Sequence, residues 1–254
     1  MLAPLPRPAR ATHGLGHGES LPAPGRGPTI RFVSFSGKTQ PFRDLTIEAF
    51  VQRLSSDEPV PGGGSASAIA ASLGAALVSM VARLSEGRER YAAHAATHAR
   101  AGDVGRQLSG RFLALADEDA AAFATFGDAL RMPRATDNEK ASRSEAVRAA
   151  ARTAADVPLT CVEACLELMS AVDQLAGRSN VNASSDLTVA SLMAEAAARG
   201  AAANVMVNLP AIGDDAVSAR MTARVDELLR DIAAKGLAVR DIVRSGAARE
   251  PLPS

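Results

Sequence analysis

The stretch Pro61-Gly62-Gly63-Gly64-Ser65-Ala66-Ser67-Ala68-Ile69-Ala70-Ala71-Ser72-Leu73-Gly74-Ala75-Ala76-Leu77-Val78-Ser79-Met80-Val81 decides how the rest of the chain is read. Three consecutive glycines make a flexible turn, and the run behind them carries no charged side chain until Arg83. A helix of this kind has no solvent face, so it is either a membrane span or the buried axis of a helical domain. Its serines and its internal glycine suit close helix packing better than lipid. The stretch therefore reads as a core helix from Ser65 to about Glu86, stopped by Gly87.

Composition agrees with helix. Alanine, the best intrinsic helix former, supplies 54 of 254 residues, while aromatics are 3% and Trp is absent. Sheets favour β-branched and aromatic residues in alternation, and few stretches here alternate. A chain of this length fits one large domain or two small ones. The 28 basic and 28 acidic residues cancel, and one Tyr leaves little for base stacking, which argues against nucleic acid as a partner. Cys161 and Cys165 lie four apart in a helical pattern and read as small core residues in a reducing compartment. No signal-peptide core opens the chain, so a soluble cytoplasmic protein without membrane attachment is expected.

Outward from the axial helix, residues 1–43 differ from everything else. Half of the 14 prolines fall in the first 41 positions, with Glu19 the single acid before Asp44, and such a segment reads as a disordered tail. Within it, residues 29–35 alternate briefly and suit an isolated strand. A first helix begins at Thr46 as its cap, with Ile47, Phe50, Val51 and Leu54 as an apolar stripe. A long helical pattern from 91 to 130 is broken by Met132-Pro133, and Thr136-Asp137-Asn138-Glu139 fits a capping box for the next helix. That helix runs to about Asp156, where Pro158 marks a kink or a new first turn leading on to Gly177. A second small-residue helix follows from 186 to 209, ended by Pro210. A last amphipathic helix over 214–243 places Val225, Leu228, Leu229, Ile232 and Leu237 on its apolar side, and residues 247–254 are expected to be disordered. The domain thus spans 44–246: an all-α bundle in which two charge-poor central helices are sheathed by the others or meet across a dimer interface.

Several constellations bear on chemistry. The Gly62-Gly63-Gly64-Ser65 turn offers backbone N–H groups at the positive end of a helix dipole, suited to an anion, although glycines also permit tight packing. No Gly-Lys-Ser/Thr follows and no strand precedes, which excludes a nucleotide P-loop and a Rossmann turn. In Asp117-Glu118-Asp119 adjacent acids point apart on a helix, so they form no dyad. Asp119 shares the face of Phe112, Ala116, Phe123 and Phe126, where burial would raise its pKa and make it a usable acid or base. Asn180, Asn182, Ser184, Ser185 and Asp186 cluster at a helix start, with Asn204 and Asn208 further along; buried amides on such a helix need partners, and capping accounts for the Ser and Asp. His94 and His98 have metal-pair spacing but no third ligand, so they read as a solvated face and no metal is expected. The serines lack a His partner for a triad.

Together, Pro61-Gly-Gly-Gly-Ser65, Leu73-Gly-Ala-Ala-Leu-Val78, Asp119-Ala-Ala-Ala-Phe123, Asp156-Val-Pro-Leu159, Ser185-Asp-Leu-Thr-Val-Ala190 and Asn204-Val-Met-Val-Asn208-Leu209 resemble the cyclodeaminase/cyclohydrolase family, in the family's motif order from 46 to 242. The resemblance implies an all-helical homodimer that acts on the one-carbon bridge of tetrahydrofolate with no cofactor beyond its folate substrate. One branch closes 5-formiminotetrahydrofolate to 5,10-methenyltetrahydrofolate with loss of ammonia; the alternative branch hydrolyses the methenyl bridge. A silent dimeric binding module of the same fold is a third reading. Carried over, Asp119 becomes the catalytic base, the turn Gly62, Gly63, Gly64, Ser65 binds an anionic or carbonyl part of the folate, and Ser185, Asp186, Asn204 and Asn208 bind the pterin. The chain departs from the family's Gly-Lys-Lys-Lys-Tyr at Gly87-Arg88-Glu89-Arg90-Tyr91, where Glu89 reverses one charge facing any polyglutamate tail.

Overall fold

The computed structural model describes residues 40–252, and among these there are six α-helices, short 3-10 turns and no strand. The strand expected at 29–35 and nearly all of the expected tail lie outside the described residues. At the tail's inner edge, Phe42–Asp44 forms a 3-10 turn with Phe42 buried, so structured chain is present before residue 44. Helix α1 (Ile47–Leu54) starts at Thr46, whose hydroxyl accepts the Ala49 N–H at 3.1 Å. Its stripe reaches the core only through Phe50. Ile47, Val51 and Leu54 are exposed, and Phe50 packs edge-on against Phe42.

Helix α2 (Gly63–Ser85) is the axial helix, and it takes in two of the glycines expected to form the turn. It packs against α3 (Ala95–Arg131) and α5 (Ser184–Ile212). Close approaches pair Gly63 with Asn204, Ser67 with Gly200 and Gly74 with Ala190, so α5 runs antiparallel to it. The same holds for α3, where Ser65 meets Ala116 and Ser72 meets Ser109. Small residues make this closeness possible: a Cβ added to Gly105 would lie 2.8 Å from the Ala75 carbonyl. The buried serines are satisfied by the neighbouring helix, Ser72 donating to the Ser109 carbonyl at 3.0 Å and Ser79 to that of Gly102 at 3.3 Å. One side of α2 nevertheless faces outward. Leu73 and Leu84 are exposed, as are Val189, Leu192 and Val207 of α5, which corrects the expectation of a helix without a solvent face.

Helix α4 (Asp137–Leu175) opens with the expected capping box, the Thr136 hydroxyl accepting the Glu139 N–H and the Glu139 carboxylate accepting the Thr136 N–H. It continues through Pro158 rather than ending near it. Likewise α5 passes Pro210 and stops at Gly213, whose φ of 67° suits glycine. In α6 (Asp215–Ser245), Val225, Leu228 and Ile232 are buried while Leu237 is exposed. Cys161 and Cys165 are free and buried on α4.

The far end of the bundle departs from expectation twice. His98 is buried, with Nε2 2.8 Å from the Arg178 carbonyl, and His94 is partly buried beside it, so they do not form a solvated face. Residues 247–252 carry no helix but are fastened back: the Arg249 N–H donates to the Gly177 carbonyl at 2.9 Å and its guanidinium pairs with Asp173 at 2.9 Å.

Candidate functional site

Where α2 begins and α5 nears its end, with the last third of α3 and the middle of α4 alongside, the helices leave an open cleft holding about 650 Å³ of empty space, mouth included. Gly62, Gly63, Gly64, Asp119, Asn204 and Asn208 all line it, so six of the nine residues singled out from sequence meet at one place. Pro59 and Val60 wall it from the α1–α2 loop, and Phe123, Phe126, Ala154 and Val207 supply its apolar surface. Pockets for ring-bearing ligands combine such a surface with a few placed polar groups.

Asp119 is the one titratable side chain on this wall. The glycine turn explains its position. An added Cβ at Gly64 would lie 2.2 Å from Asp119 Oδ1, so the carboxyl occupies the space a side chain would need. Gly62, the residue before α2, receives no side-chain cap, and the carboxyl of Asp119 stands at that helix end in its place. The Ser65 hydroxyl lies 3.1 Å from Asp119 Oδ2. Burial pushes the Asp119 carboxyl above its ordinary value, and the Ser65 hydroxyl and backbone N–H pull against that without cancelling it. The carboxyl at the N-terminus of α2 is therefore the protein's own, and the glycines form a close, flat part of the cleft wall.

The neighbouring acids behave as their helical spacing dictates. Asp117 turns away to accept the Phe42 N–H at 2.7 Å, and Glu118 pairs with Arg111. Neither approaches the cleft.

Asn208 is tied to a feature of α4. Pro158 has no N–H to give the carbonyl of Ala154, four residues earlier, and the Asn208 amide donates to that carbonyl at 2.8 Å instead. Its second N–H goes to the Asn204 carbonyl at 2.9 Å, and Asn204 donates to the Gly200 carbonyl at 2.9 Å. With the nitrogens committed to backbone carbonyls, the Oδ1 atoms of both residues are left as acceptors for a ligand that brings N–H donors.

Ser65 is wholly buried behind the wall and does not line the cleft. Ser185 and Asp186 sit at the opposite end of α5, roughly 28 Å from Asn204 at 1.5 Å per residue. One chain does not bring them to Asp119. Sequence reading passed over Pro59, Val60, Ala154 and Val207. The break at Pro59 and Pro61 was visible, but which wall it built depended on packing, and Ala154 stood out only through its relation to Pro158.

Comparisons with known proteins converge on one family. The sequence profile of formiminotransferase-cyclodeaminase matches residues 46–227. A methenyltetrahydrofolate cyclohydrolase of Methylorubrum extorquens is 36% identical over 200 residues, covering 79% of this chain and 96% of that protein. A formimidoyltransferase-cyclodeaminase of Rattus norvegicus is 35% identical over 199 residues, which are 78% of this chain but 37% of that protein. This chain thus spans a little over a third of the rat protein's length. The crystal structure of a formiminotetrahydrofolate cyclodeaminase from Thermotoga maritima has the same fold, with a TM-score of 0.73 at 22% identity over 80% of this chain and 98% of that one. Because the matched segment carries every residue that lines the cleft, fold, site and sequence lead to one statement: the chain belongs to the formiminotransferase-cyclodeaminase family.

Proposed function

We propose that this protein acts on the one-carbon bridge between N5 and N10 of tetrahydrofolate, with Asp119 as the general base and acid. The observation that carries this is a single carboxyl, raised by burial, on the wall of a cleft whose opposite side offers the Asn204 and Asn208 oxygens. The pterin edge is rich in N–H donors and suits those acceptors, while Phe123, Phe126 and Val207 suit its ring faces.

In ring-closing deamination of the protonated formiminium group, ionised Asp119 takes the proton from N10 as that nitrogen bonds to the formimino carbon and the C=N electron pair moves onto the iminium nitrogen. The tetrahedral carbon then carries N5, N10 and an amino group. Asp119 returns the proton to the amino nitrogen, and ammonia leaves to give the methenyl bridge. Raising the pKa of the carboxyl makes its ionised form a stronger base for the first of these steps. The second reading, hydrolysis of the methenyl bridge, is favoured by the cyclohydrolase matched over 96% of its length. There Asp119 takes a proton from the attacking water and returns it to N5 as the carbon–N5 bond breaks, and the remaining hydroxyl proton leaves to solvent as the formyl C=O forms. Incubating the protein separately with 5-formiminotetrahydrofolate and 5,10-methenyltetrahydrofolate, while following the methenyl chromophore, separates the readings. A rise means deamination, a fall means hydrolysis, and no change in either sinks both.

The working unit in this proposal is a cytoplasmic homodimer. The exposed apolar side of α2 and α5 is the face a second copy would cover, since outward leucines and valines on two packed helices are unusual for a monomer. A two-fold copy lying antiparallel on that face brings its own helix start to this cleft, which is how Ser185 and Asp186 would reach the substrate. Mixing inactive Asp119→Asn chains with inactive Ser185→Ala/Asp186→Asn chains should then restore about a quarter of wild-type activity, because half the dimers are mixed and each has one intact site. No recovery removes those two residues from the site.

A further inference from the structure

We propose that Ser65 is a positioning residue for Asp119, its single hydroxyl proton switching between the Ala116 carbonyl and Asp119 Oδ2 as the carboxyl gains and loses its proton. This rests on the reading of Asp119 as the general base and goes beyond it by giving the base a partner that does not touch substrate. Two distances carry it. Ser65 Oγ lies 3.0 Å from the Ala116 carbonyl oxygen and 3.1 Å from Asp119 Oδ2, and a hydroxyl has one proton for two acceptors. Ser65 is wholly buried and outside the cleft lining, so neither water nor ligand competes for that proton.

The consequences differ with the state of the carboxyl. When Asp119 is ionised, Oδ2 is the stronger acceptor and takes the Ser65 proton. When Asp119 is protonated, Ser65 donates to the Ala116 carbonyl instead, and its lone pair is open to an Oδ2–H bond. No heavy atom needs to move between the two states, and neither leaves a buried group without a partner. A base that must take a proton and give it back within one turnover needs that equivalence.

No charged group of the described residues acts on Asp119, and those near it in the chain pair elsewhere. On α3, Asp117 faces Phe42 and Arg43, and Glu118 pairs with Arg111. On α4, Arg152 pairs with Asp156, and in the loop before α2 Glu58 pairs with Arg53. From α2 and α5 the groups facing it are the neutral Ser65, Asn204 and Asn208. Ser65 is thus the group left to tune Asp119 against the effect of burial.

The test is the titration of Asp119 itself, read by carbon NMR of its carboxyl without substrate and assigned by loss of the signal in Asp119→Asn. In Ser65→Ala the midpoint should move up by about one pH unit or more, as a charge-assisted hydrogen bond to the ionised form is lost. Ser65→Thr keeps the hydroxyl and should titrate like wild type. If Ser65→Ala does not fold, Ser65→Cys, a weaker donor of similar shape, should show a smaller upward move. An unchanged midpoint in the folded variant overturns the proposal. The acidic limb of the pH–rate profile should shift upward by the same amount. If the NMR midpoint moves and the limb does not, Ser65 keeps its role and Asp119 as the base is what fails.

Discussion

The two ends of the α2–α5 pair hold the same kinds of buried polar side chain and use them differently. At the far end the groups meet one another. The Asn180 N–H donates to Ser85 Oγ at 2.8 Å, its amide to the Leu84 carbonyl at 3.2 Å, and the Val181 N–H to the Tyr91 hydroxyl at 3.1 Å. The exception is His94, whose Nδ1 is buried without a partner and whose pKa is lowered by burial and by the nearby His98 and Arg178. At the cleft end, Asp119, Asn204 and Asn208 place part of their bonding capacity in the protein and turn the rest to open space. The polar side chains at the cleft end thus keep part of their bonding capacity free, whereas those at the far end, His94 apart, spend it on one another.

The comparison can be broken most sharply at Asp119. Asp119→Asn should lower kcat by about 10²–10⁴ while the protein stays folded, because a general acid–base group is lost and a neutral amide keeps the shape. Its stability should also lose a pH dependence. With a folded pKa above the unfolded one, the native state binds more protons, so wild type is most stable below the unfolded pKa and loses stability as pH rises through the folded value; the variant should be flat across that window in thermal melts. A wild-type rate in the variant would end the assignment.

Gly64→Ala comes next. The added methyl meets the Asp119 carboxyl, so kcat should fall by about 10²-fold from a misplaced base, although alanine is the better helix former. Gly63→Ala, whose Cβ would meet Asn204 at an ordinary 3.6 Å, is the control and should be mild by the same assay.

Asn208→Ala should act on both sides of the comparison. Leaving the Ala154 carbonyl without a donor should cost about 1–3 kcal/mol in urea unfolding, and KM should rise as a ligand acceptor is lost. At the far end, Ser85→Ala should cost a similar 1–3 kcal/mol by removing the acceptor of the Asn180 N–H, yet leave kcat and KM within error. A kinetic defect from Ser85→Ala would mean that the Asn180–Ser85 contact supports catalysis as well as the fold.

Much of this was legible in the chain. The helical class, the Thr46 and Thr136 caps and the small-residue axis follow from local chemistry, because caps and periodicity are written within a few residues. The helix ends at prolines were not. Pro158 lacks a donor, and local rules predict a break; the helix continues because Asn208, fifty residues on, supplies the missing hydrogen bond. The stripe of α1 points outward for a related reason, since amphipathicity shows which face is apolar but not what lies against it.

The sequence by itself determined that the protein is helical, that two helices are built from small residues for close approach, and that Asp119 stands on an apolar face. Those are properties of neighbours along the chain. Packing between distant segments is what sets the Asp119 carboxyl in the space left by Gly64, with the Ser65 hydroxyl behind the wall beside it. It also decided that Ser185 and Asp186 lie a helix length away. The reason is physical: a helix fixes which side chains share a face, whereas which faces meet, and in what register, depends on packing between segments far apart in the chain.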